Sequence, residues 1–394
     1  MRAEEATPTA PLPVPVSSAA APYLLRVAGG EATGPLAGGI RTGLRVLSWL
    51  YLGATTTSAL AHRAGLLRRE RAPCPVIGIG NVTVGGTGKS TVTAAIARWL
   101  RDAGYQPAIL SRGYGARGTP AVRVVSDGQR LLLGPEEGGD EPVMLARHLA
   151  DTPVLIGRRR PVTARAAVEQ FGADVCLLDD GFQVWNLEKD LDIVLLDSAR
   201  PFDNGFVLPR GMLREPATSL RRAHAVVLME PDRADPEALA ALRQRLDTLA
   251  PAAMLAEAHR VPSRLWDLAT GDELPLESLQ GVGVVALSAI GNPEGFEALL
   301  GSLGARVHPA RLRDHHPYSP AVLRSAGELA ARVGAAAIVT TDKDAVKLGQ
   351  YQGSAAVTTP LPLWVLSIRL QFTAGEDSLR ERVLAAVAAR MPPR

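Results

Sequence analysis

The chain has little cysteine, almost no net charge and no long hydrophobic run, and each shortage excludes a class of protein. Only two cysteines, Cys74 and Cys176, occur in 394 residues, which excludes a disulfide framework and a zinc-binding spacing and favours a reducing compartment. Lys+Arg number 43 and Asp+Glu 40, so there is neither a long polyanion-binding tract nor an acidic tail, and we expect no nucleic-acid partner. The isoelectric point of 9.0 favours smaller anionic partners such as phosphates or lipid headgroups.

The longest charge-free apolar run near the N-terminus, residues 46–61, is too short to cross a bilayer. As a helix it would span about 24 Å, against a hydrocarbon core of about 30 Å. Apolar residues recur there at helical spacing and arginines flank them: Leu44, Leu47, Leu50, Tyr51 and Ala54, with Arg41, Arg45, Arg63, Arg68, Arg69 and Arg71. The pattern is typical of a helix in the interface of an anionic membrane, and equally of a helix docked on its own domain.

The segment before this helix, residues 1–39, lacks the order of charged region, apolar region and cleavage site that marks a signal peptide. It is rich in proline, alanine and glycine, and we predict a disordered extension. The folded protein is therefore expected to begin near residue 40.

From Cys74 onward, short apolar runs alternate with helical patterns, which predicts an α/β fold with a mostly parallel sheet. Residues 76–79, 175–178 and 193–196 are apolar at nearly every position, as strands buried on both faces should be. The alternation breaks at 197–216, a loop long enough to indicate a function, and it resumes near 225 and again near 282. We place a domain boundary near residue 255.

The strongest motif covers residues 80–90, Gly-Asn-Val-Thr-Val-Gly-Gly-Thr-Gly-Lys-Ser, between a strand and a helix. Glycines allow backbone N–H groups to surround phosphate oxygens, and the helix N-terminus adds positive charge. Lys89 can reach the β- and γ-phosphates, and the Ser90 hydroxyl can bind Mg²⁺. The strict pattern is Gly-x-x-x-x-Gly-Lys-[Ser/Thr], and where it has its first glycine this chain has Thr83. The residues predicted to hold the nucleotide phosphates are Thr83, Val84, Gly85, Gly86, Thr87, Gly88, Lys89 and Ser90.

An acidic pair, Asp179 and Asp180, follows the apolar strand at 175–178. Carboxylates at the C-terminal end of a buried parallel strand face the ligand crevice. One of them would bind the Mg²⁺ of the phosphate loop, directly or through water. The alternative is a pair that caps a helix or closes a turn.

Two further positions are candidates for acid–base chemistry. Asp140 lies in Gly-Asp-Glu-Pro at 139–142, and His315 follows Asp314 in a loop near the other end of the chain. Asp140 could instead be the N-cap of a helix, and a histidine in a loop is most often a surface residue.

Three loops carry arginines that could contact anions, since guanidinium groups match phosphate oxygens. They lie at 111–115, which includes Arg112 and Tyr114, at Arg158 to Arg160, and at 208–216, which includes Arg210 and Arg214. Solvated surface arginines are the alternative for each of them.

Taken together, the stretches resemble the tetraacyldisaccharide 4′-kinase family of lipid A biosynthesis. The matching segments, in order, are residues 80–90, 111–115, 139–142, 179–183, 200–216, 314–315 and 340–348. The resemblance implies two Rossmann-like α/β/α domains, the first a P-loop kinase domain, with the active site in the cleft between them and an N-terminal amphipathic helix. It implies ATP- and Mg²⁺-dependent phosphorylation of the 4′-hydroxyl of a tetraacyldisaccharide 1-phosphate. It further implies a membrane-associated enzyme at the cytoplasmic face of the bacterial inner membrane, with a lipid disaccharide and an anionic membrane surface as partners.

The same resemblance assigns roles to residues and segments. It gives Asp140 as the catalytic base and His315 as its partner, with Ser90, Asp179 and Asp180 at the metal. The positions implied for substrate binding are Arg112, Tyr114, Glu141, Arg160, Arg214 and Glu215. The implied division is a membrane-associating segment at 40–72, a kinase domain at 73–255 and a second, smaller α/β domain at 256–394.

The sequence departs from the family pattern at two places. Ser90-Thr91 stands where Thr-Pro is usual, and Asp203 stands where glycine is usual before Asn204-Gly205. Either hydroxyl can bind the metal, whereas Asp203 leaves the conformation of its loop open.

A second class of protein also has Gly-Gly-x-Gly-Lys-[Ser/Thr], the partitioning-type and metal-insertion P-loop ATPases, which act as conformational switches. Their variant loop carries a lysine just before the glycine pair, where this chain has Val84. A non-catalytic nucleotide-binding scaffold on the membrane is a third possibility. Transfer of phosphate from ATP to a lipid disaccharide distinguishes the three.

Overall fold

The computed structural model describes residues 20–114, 116, 118, 121–349 and 361–391, and these form two compact units. The larger unit contains the described residues up to Arg260 together with those from Leu370 onward, and the smaller unit contains Val261–Arg369. The chain therefore leaves the larger unit and returns to it. Two strands introduced below, β8 and β13, contain the crossing points.

The larger unit is a parallel sheet with helices packed against it. Its elements in chain order are α1 (Ala20–Gly29), α2 (Pro35–Arg63), β1 (Val76–Asn81), α3 (Lys89–Asp102), β2 (Pro107–Ser111), β3 (Arg123–Ser126), α4 (Pro135–Gly138), α5 (Asp140–His148), β4 (Val154–Ile156), α6 (Arg160–Phe171), β5 (Val175–Asp179), β6 (Leu191–Asp197), β7 (Ala225–Met229), α7 (Pro236–Leu249) and β8 (Met254–Asp267).

The strand order in this unit is β8-β7-β6-β1-β5-β2-β4-β3. Every pairing is parallel except that of β3 with β4 at the edge. The central strands β1 and β5 are buried at every residue, because helices cover both faces of a parallel sheet. Since β1 lies between β5 and β6, the phosphate loop after β1 and the acidic pair after β5 end at the same edge of the sheet.

The strands of the smaller unit are parallel and follow the order β11-β10-β12-β13. Its elements are β9 (Glu273–Leu274), β10 (Gly283–Ser288), α8 (Pro293–Ser302), β11 (Arg306–Arg311), α9 (Pro320–Val333), β12 (Ala337–Thr341), α10 (Asp342–Leu348) and β13 (Leu363–Ala374). Strand β9 pairs antiparallel with the end of β8. The prediction of an α/β fold with mostly parallel sheets is confirmed.

The last helix, α11 (Glu376–Ala388), belongs to the larger unit. Its buried residues are Leu379, Val383 and Val387, it packs against α3, and just beyond it Arg390 forms an ion pair of 2.9 Å with Asp190. The sequence pattern had grouped this helix with residues 256–394, because chain order does not reveal a return to an earlier sheet.

Helices α1 and α2 differ from the expectation for residues 1–39. Residues 1–19 lie outside the described part, but Ala20–Gly29 and the first residues of Pro35–Arg63 are helical. Val27, Ala32 and Ala37 are buried in a small apolar cluster with Tyr23 and Ile40, and this packing offsets the high proline, alanine and glycine content. Across the described residues, we find no helix with both the length and the apolarity needed to cross a bilayer.

Candidate functional site

The phosphate loop joins β1 to α3 through left-handed glycines. Gly85 has φ 126° and Gly88 has φ 87°, conformations that residues with a Cβ rarely adopt. Gly88 is the N-cap of α3, and because glycine has no side chain to cap the helix, its first N–H groups can bind an anion. At Thr83, the backbone instead bridges to Leu213 in an antiparallel pair, which explains why this position does not need glycine.

Asn81 organises the loop from inside. Its Nδ2 donates to Thr87 Oγ1 at 3.0 Å, and its Oδ1 accepts from Lys89 Nζ at 3.4 Å. Gln183 Nε2 donates to the Asn81 carbonyl at 3.0 Å. The buried amide therefore aims the loop lysine and ties it to the segment that follows the acidic pair.

The two acidic residues have different environments. Asp179 is the last residue of β5 and only 1% exposed; burial, with the charge of Glu141 adding to it, raises the pKa of Asp179 to about 7. Asp180 has φ 59° and lies 2.7 Å from Arg214 and 3.7 Å from Lys89. Burial raises the pKa of Asp180, but the charges of Lys89 and Arg214 outweigh that effect and hold it below its ordinary value. No helix begins at this turn in the described chain, so the alternative of a helix cap is not observed.

A buried ion pair supports the turn that contains Asp179 and Asp180. This pair was not predicted from the sequence. Lys189 Nζ lies 2.7 Å from Asp192 Oδ1, with both side chains almost fully buried, and it also donates to the carbonyls of Gly181 and Phe182 at 3.0 and 3.1 Å. A Cβ on Gly78 would lie 2.5 Å from Asp192 Oδ1, so only glycine fits there. The available signal was Asp192 itself, an acidic residue within an otherwise apolar strand.

Asp140 and Glu141 begin helix α5, and Gly139 is its N-cap, so Asp140 is not the cap residue that the alternative supposed. A Cβ on Gly139 would lie 2.7 Å from the Tyr114 carbonyl oxygen, which brings the loops at 111–114 and 139–142 together. Because the charge of Glu141 acts on Asp179, this helix start faces the acidic pair. The Tyr114 side chain itself is 71% exposed.

The predicted arginines have distinct positions around the same pair. Arg160 begins α6 and is 4% exposed. Burial lowers the pKa of Arg160 to about 10, against the opposing effect of the Asp179 and Asp180 charges, while the charge of Arg112 lowers it further. Glu215 makes a 2.6 Å ion pair with Arg222, whose guanidinium lies 3.6 Å from the centre of the Phe182 ring. Glu215 thus contributes to the packing beneath the acidic turn.

His315 lies in the smaller unit, in a loop with φ 59° at its own position. Lys343 Nζ donates to Asp314 Oδ1 at 3.0 Å and lies 3.3 Å from His315 Nε2. The fully buried Asp344 accepts from the Ala289 N–H at 2.9 Å and pairs with Lys347 at 3.1 Å, and Lys347 donates to the His316 carbonyl at 3.3 Å. The motif at 340–348 therefore holds the histidine loop in place.

The chain is similar to known proteins over most of its length. The family model described as LpxK, tetraacyldisaccharide-1-P 4′-kinase, matches residues 40–388. The tetraacyldisaccharide 4′-kinase of Anaeromyxobacter sp. (strain K) is 43% identical over 365 residues, which cover 92% of this chain and 95% of that protein. The enzyme of the same name from Syntrophus aciditrophicus (strain SB) is 43% identical over 335 residues, covering 83% and 88%.

A solved structure is similar as well. It is the "apo" form of LpxK from Aquifex aeolicus, described as a complex with ATP, with a TM-score of 0.69 and 28% sequence identity. The match covers 88% of this chain and 99% of that chain.

Proposed function

This chain belongs to the tetraacyldisaccharide-1-P 4′-kinase family, and from that premise we propose that it transfers the γ-phosphoryl group of ATP to the 4′-hydroxyl of a tetraacyldisaccharide 1-phosphate. The products are ADP and the 4′-phosphorylated lipid A precursor, lipid IVA. The observation that carries the proposal is the convergence of Lys89 and Arg214 on Asp180, beside the buried Asp179. Cations and carboxylates next to a phosphate loop are the groups that phosphoryl transfer needs.

The phosphate loop supplies the nucleotide site. The N–H groups from Thr83 to Ser90 would surround the phosphates of ATP, and Lys89, aimed by Asn81, would contact the β- and γ-phosphates. We assign this chemistry to the larger unit, which contains the described residues of the kinase domain predicted at 73–255 and also receives α11 from the second domain predicted at 256–394.

The residues present fit Mg²⁺. Ser90, Asp179 and Asp180 offer only oxygen atoms, which this ion prefers, and a kinase site uses one or two protein ligands with phosphate and water completing the set. Burial raises the pKa of Asp179 and so opposes its charge. An adjacent divalent cation would compensate for this, because it favours the ionised carboxylate. When bound, the ion neutralises charge on the transferring phosphate.

Asp140 is the proposed general base. It would accept the proton of the sugar hydroxyl, and its position at the start of α5, next to the Glu141 that acts on Asp179, supports that role. His315 is proposed to assist on the strength of its Asp-His motif. Arg112, Tyr114, Glu141, Arg160, Arg214 and Glu215 remain the proposed substrate-side residues.

We propose α2 as the contact with the membrane, where the acyl chains of the acceptor remain. Its outer face carries exposed apolar side chains, at Leu36, Val46, Leu47, Trp49, Leu50 and Leu60, with arginines at both ends. An apolar stripe flanked by arginines favours the surface of an anionic bilayer, and the proposed location is the cytoplasmic face of the inner membrane.

The test is a transfer assay with γ-labelled ATP and the lipid disaccharide 1-phosphate. We expect the wild type to label the lipid, and Asp140→Ala to lower kcat by about 10²–10⁴-fold with ATP affinity retained. Asp102→Ala, at the exposed end of α3, is the matched control. Near-wild-type turnover by Asp140→Ala would remove Asp140 from the mechanism. ATP hydrolysis without labelled lipid would indicate the switch-type ATPases instead.

A further inference from the structure

Two guanidinium groups lie over one aromatic ring in the loop at 206–214, whose other end pairs with the phosphate loop. The Cζ atoms of Arg210 and Arg45 lie 5.0 and 5.4 Å from the centre of the Phe206 ring. Burial lowers the pKa of Arg210, and the charges of Arg45 and Arg41 lower it further. Arg41 and Arg45 are therefore close enough to Arg210 for their charges to oppose its own.

Among the described residues, Arg210 donates from Nη1 to the Ala28 carbonyl, but it has no carboxylate partner. No carboxylate in the described part of the chain forms an ion pair with Arg41, Arg45 or Arg210. Asp203 acts on Arg210 only at a distance. Arg210 is 8% exposed, and its buried Nε finds no acceptor among the described residues. Like charges held together in this way indicate an anion site, and arginines match a phosphate monoester, to which they can make paired hydrogen bonds.

Helix α2 is hydrogen-bonded to the loop that connects Arg210 with Arg214, the arginine that contacts Asp180. Ser48 Oγ donates to the Val207 carbonyl at 2.8 Å and accepts from the Arg210 N–H at 3.0 Å. One turn further along, the Tyr51 hydroxyl donates to the Arg214 carbonyl at 3.1 Å. Arg214 contacts Asp180, and Arg210 precedes it by four residues, which in an extended chain span at most about 14 Å.

We propose that Arg41, Arg45 and Arg210 bind the 1-phosphate of the lipid disaccharide acceptor. The inference rests on the proposed function. The family's acceptor carries this phosphate at one end of the disaccharide and the reacting 4′-hydroxyl at the other, and Arg210 lies in the same loop as Arg214, which contacts Asp180. Holding the phosphate would place the hydroxyl near the acidic pair, and it would make the enzyme select a phosphorylated acceptor.

An anionic phospholipid headgroup presents the same phosphate chemistry, so the experiment separates the two sources. Transfer is measured in neutral detergent micelles that contain no anionic lipid, with two acceptors, the disaccharide with and without its 1-phosphate. A parallel arm measures binding of the protein to vesicles of phosphatidylcholine with phosphatidylglycerol. The variants are Arg45→Gln and the double variant Arg41→Gln/Arg45→Gln, which leave the buried Arg210 in place.

In micelles we expect the wild type to prefer the phosphorylated acceptor in kcat/KM by about tenfold or more, as charged hydrogen bonds usually give. The double variant should lose that preference through a higher KM for the phosphorylated acceptor, with KM for ATP unchanged. Arg165→Gln, an exposed arginine on α6, removes the same charge elsewhere and should retain the preference.

Three results would overturn the inference: equal losses on both acceptors, a retained preference in the double variant, or an effect confined to vesicle binding. A wild type that labels neither acceptor would instead refute the proposed function, so the two failures are distinguishable.

Discussion

Adjacent residues of one type can have pKa values shifted in opposite directions, as Asp179 and Asp180 do. Asp179 ends a strand buried on both faces, and its pKa is raised to about 7, above the ordinary value of 3.8. Asp180 turns out of the sheet at φ 59° and reaches Arg214 and Lys89. Neighbouring cations therefore favour the charged form of Asp180, whereas burial opposes the charge of Asp179.

We expect Asp179→Asn to stabilise the nucleotide-free, metal-free protein at pH 8. Above pH 7 the wild type must ionise this buried group in the folded state, and the amide removes that cost, up to about 4 kcal/mol of unfolding free energy. The gain should shrink as pH falls to 5, because the folded wild type then keeps Asp179 protonated while the unfolded chain is still ionised.

Urea denaturation at pH 5 and pH 8 measures this effect, and Asp102→Asn is the exposed control. The same Asp179→Asn variant should lose Mg²⁺-dependent transfer. A lower stability of the variant at pH 8 would contradict the environment described for Asp179.

At the scale of the element, the two faces of α2 differ. Its inner face holds the 207–214 loop through Ser48 and Tyr51, and its outer face leaves Trp49 and Leu50 62% and 65% exposed. Both alternatives drawn from the sequence thus have a physical basis, since docking on the domain and an outward apolar surface occur in one helix.

We expect Trp49→Gln/Leu50→Gln to weaken binding to vesicles that contain anionic lipid by about tenfold or more, since each large apolar side chain contributes about 1.5–3 kcal/mol when buried. Co-sedimentation measures it. The control, Leu131→Gln/Leu132→Gln, removes two exposed leucines elsewhere on the same unit. Unchanged vesicle binding in the α2 variant would refute the proposal of a membrane-contacting helix.

At the scale of the whole molecule, the C-terminal end of the chain packs onto the larger unit. After β13 the chain returns, and Gly375 approaches β8 so closely that a Cβ would lie 2.7 Å from the Leu255 carbonyl oxygen. The aromatic rings of Phe372 and Trp99 of α3 are 5.5 Å apart. Since α3 begins at the phosphate loop, the C-terminal helix supports the nucleotide site from a distance in sequence.

We expect Leu379→Ala on α11 to lower the unfolding free energy by about 2–5 kcal/mol, because Leu379 is fully buried in the larger unit. Hydrogen exchange should accelerate in α3 as well as in α11. Glu381→Ala, exposed on the same helix, is the control and should change neither quantity. Accelerated exchange confined to α11 would show that the helix does not support α3.

Much of the fold could be predicted because its signals are local. The strands Val76–Asn81, Val175–Asp179 and Leu191–Asp197 contain the apolar runs at 76–79, 175–178 and 193–196 from which strands were predicted. The long strand Met254–Asp267 was not predicted, since it is only partly buried and its pattern is mixed. The expected domain boundary near residue 255 falls inside that strand.

The sequence by itself determined the alternation of elements, the phosphate loop, the acidic pair and the family, because backbone period, glycine content and motif order are properties of neighbouring residues. Only the tertiary structure decided the opposite pKa shifts of Asp179 and Asp180, the support from Lys189, the cluster of Arg41, Arg45 and Arg210, and the return of α11. Each of these depends on which distant side chains share a buried or charged environment, and distance along the chain carries no information about that.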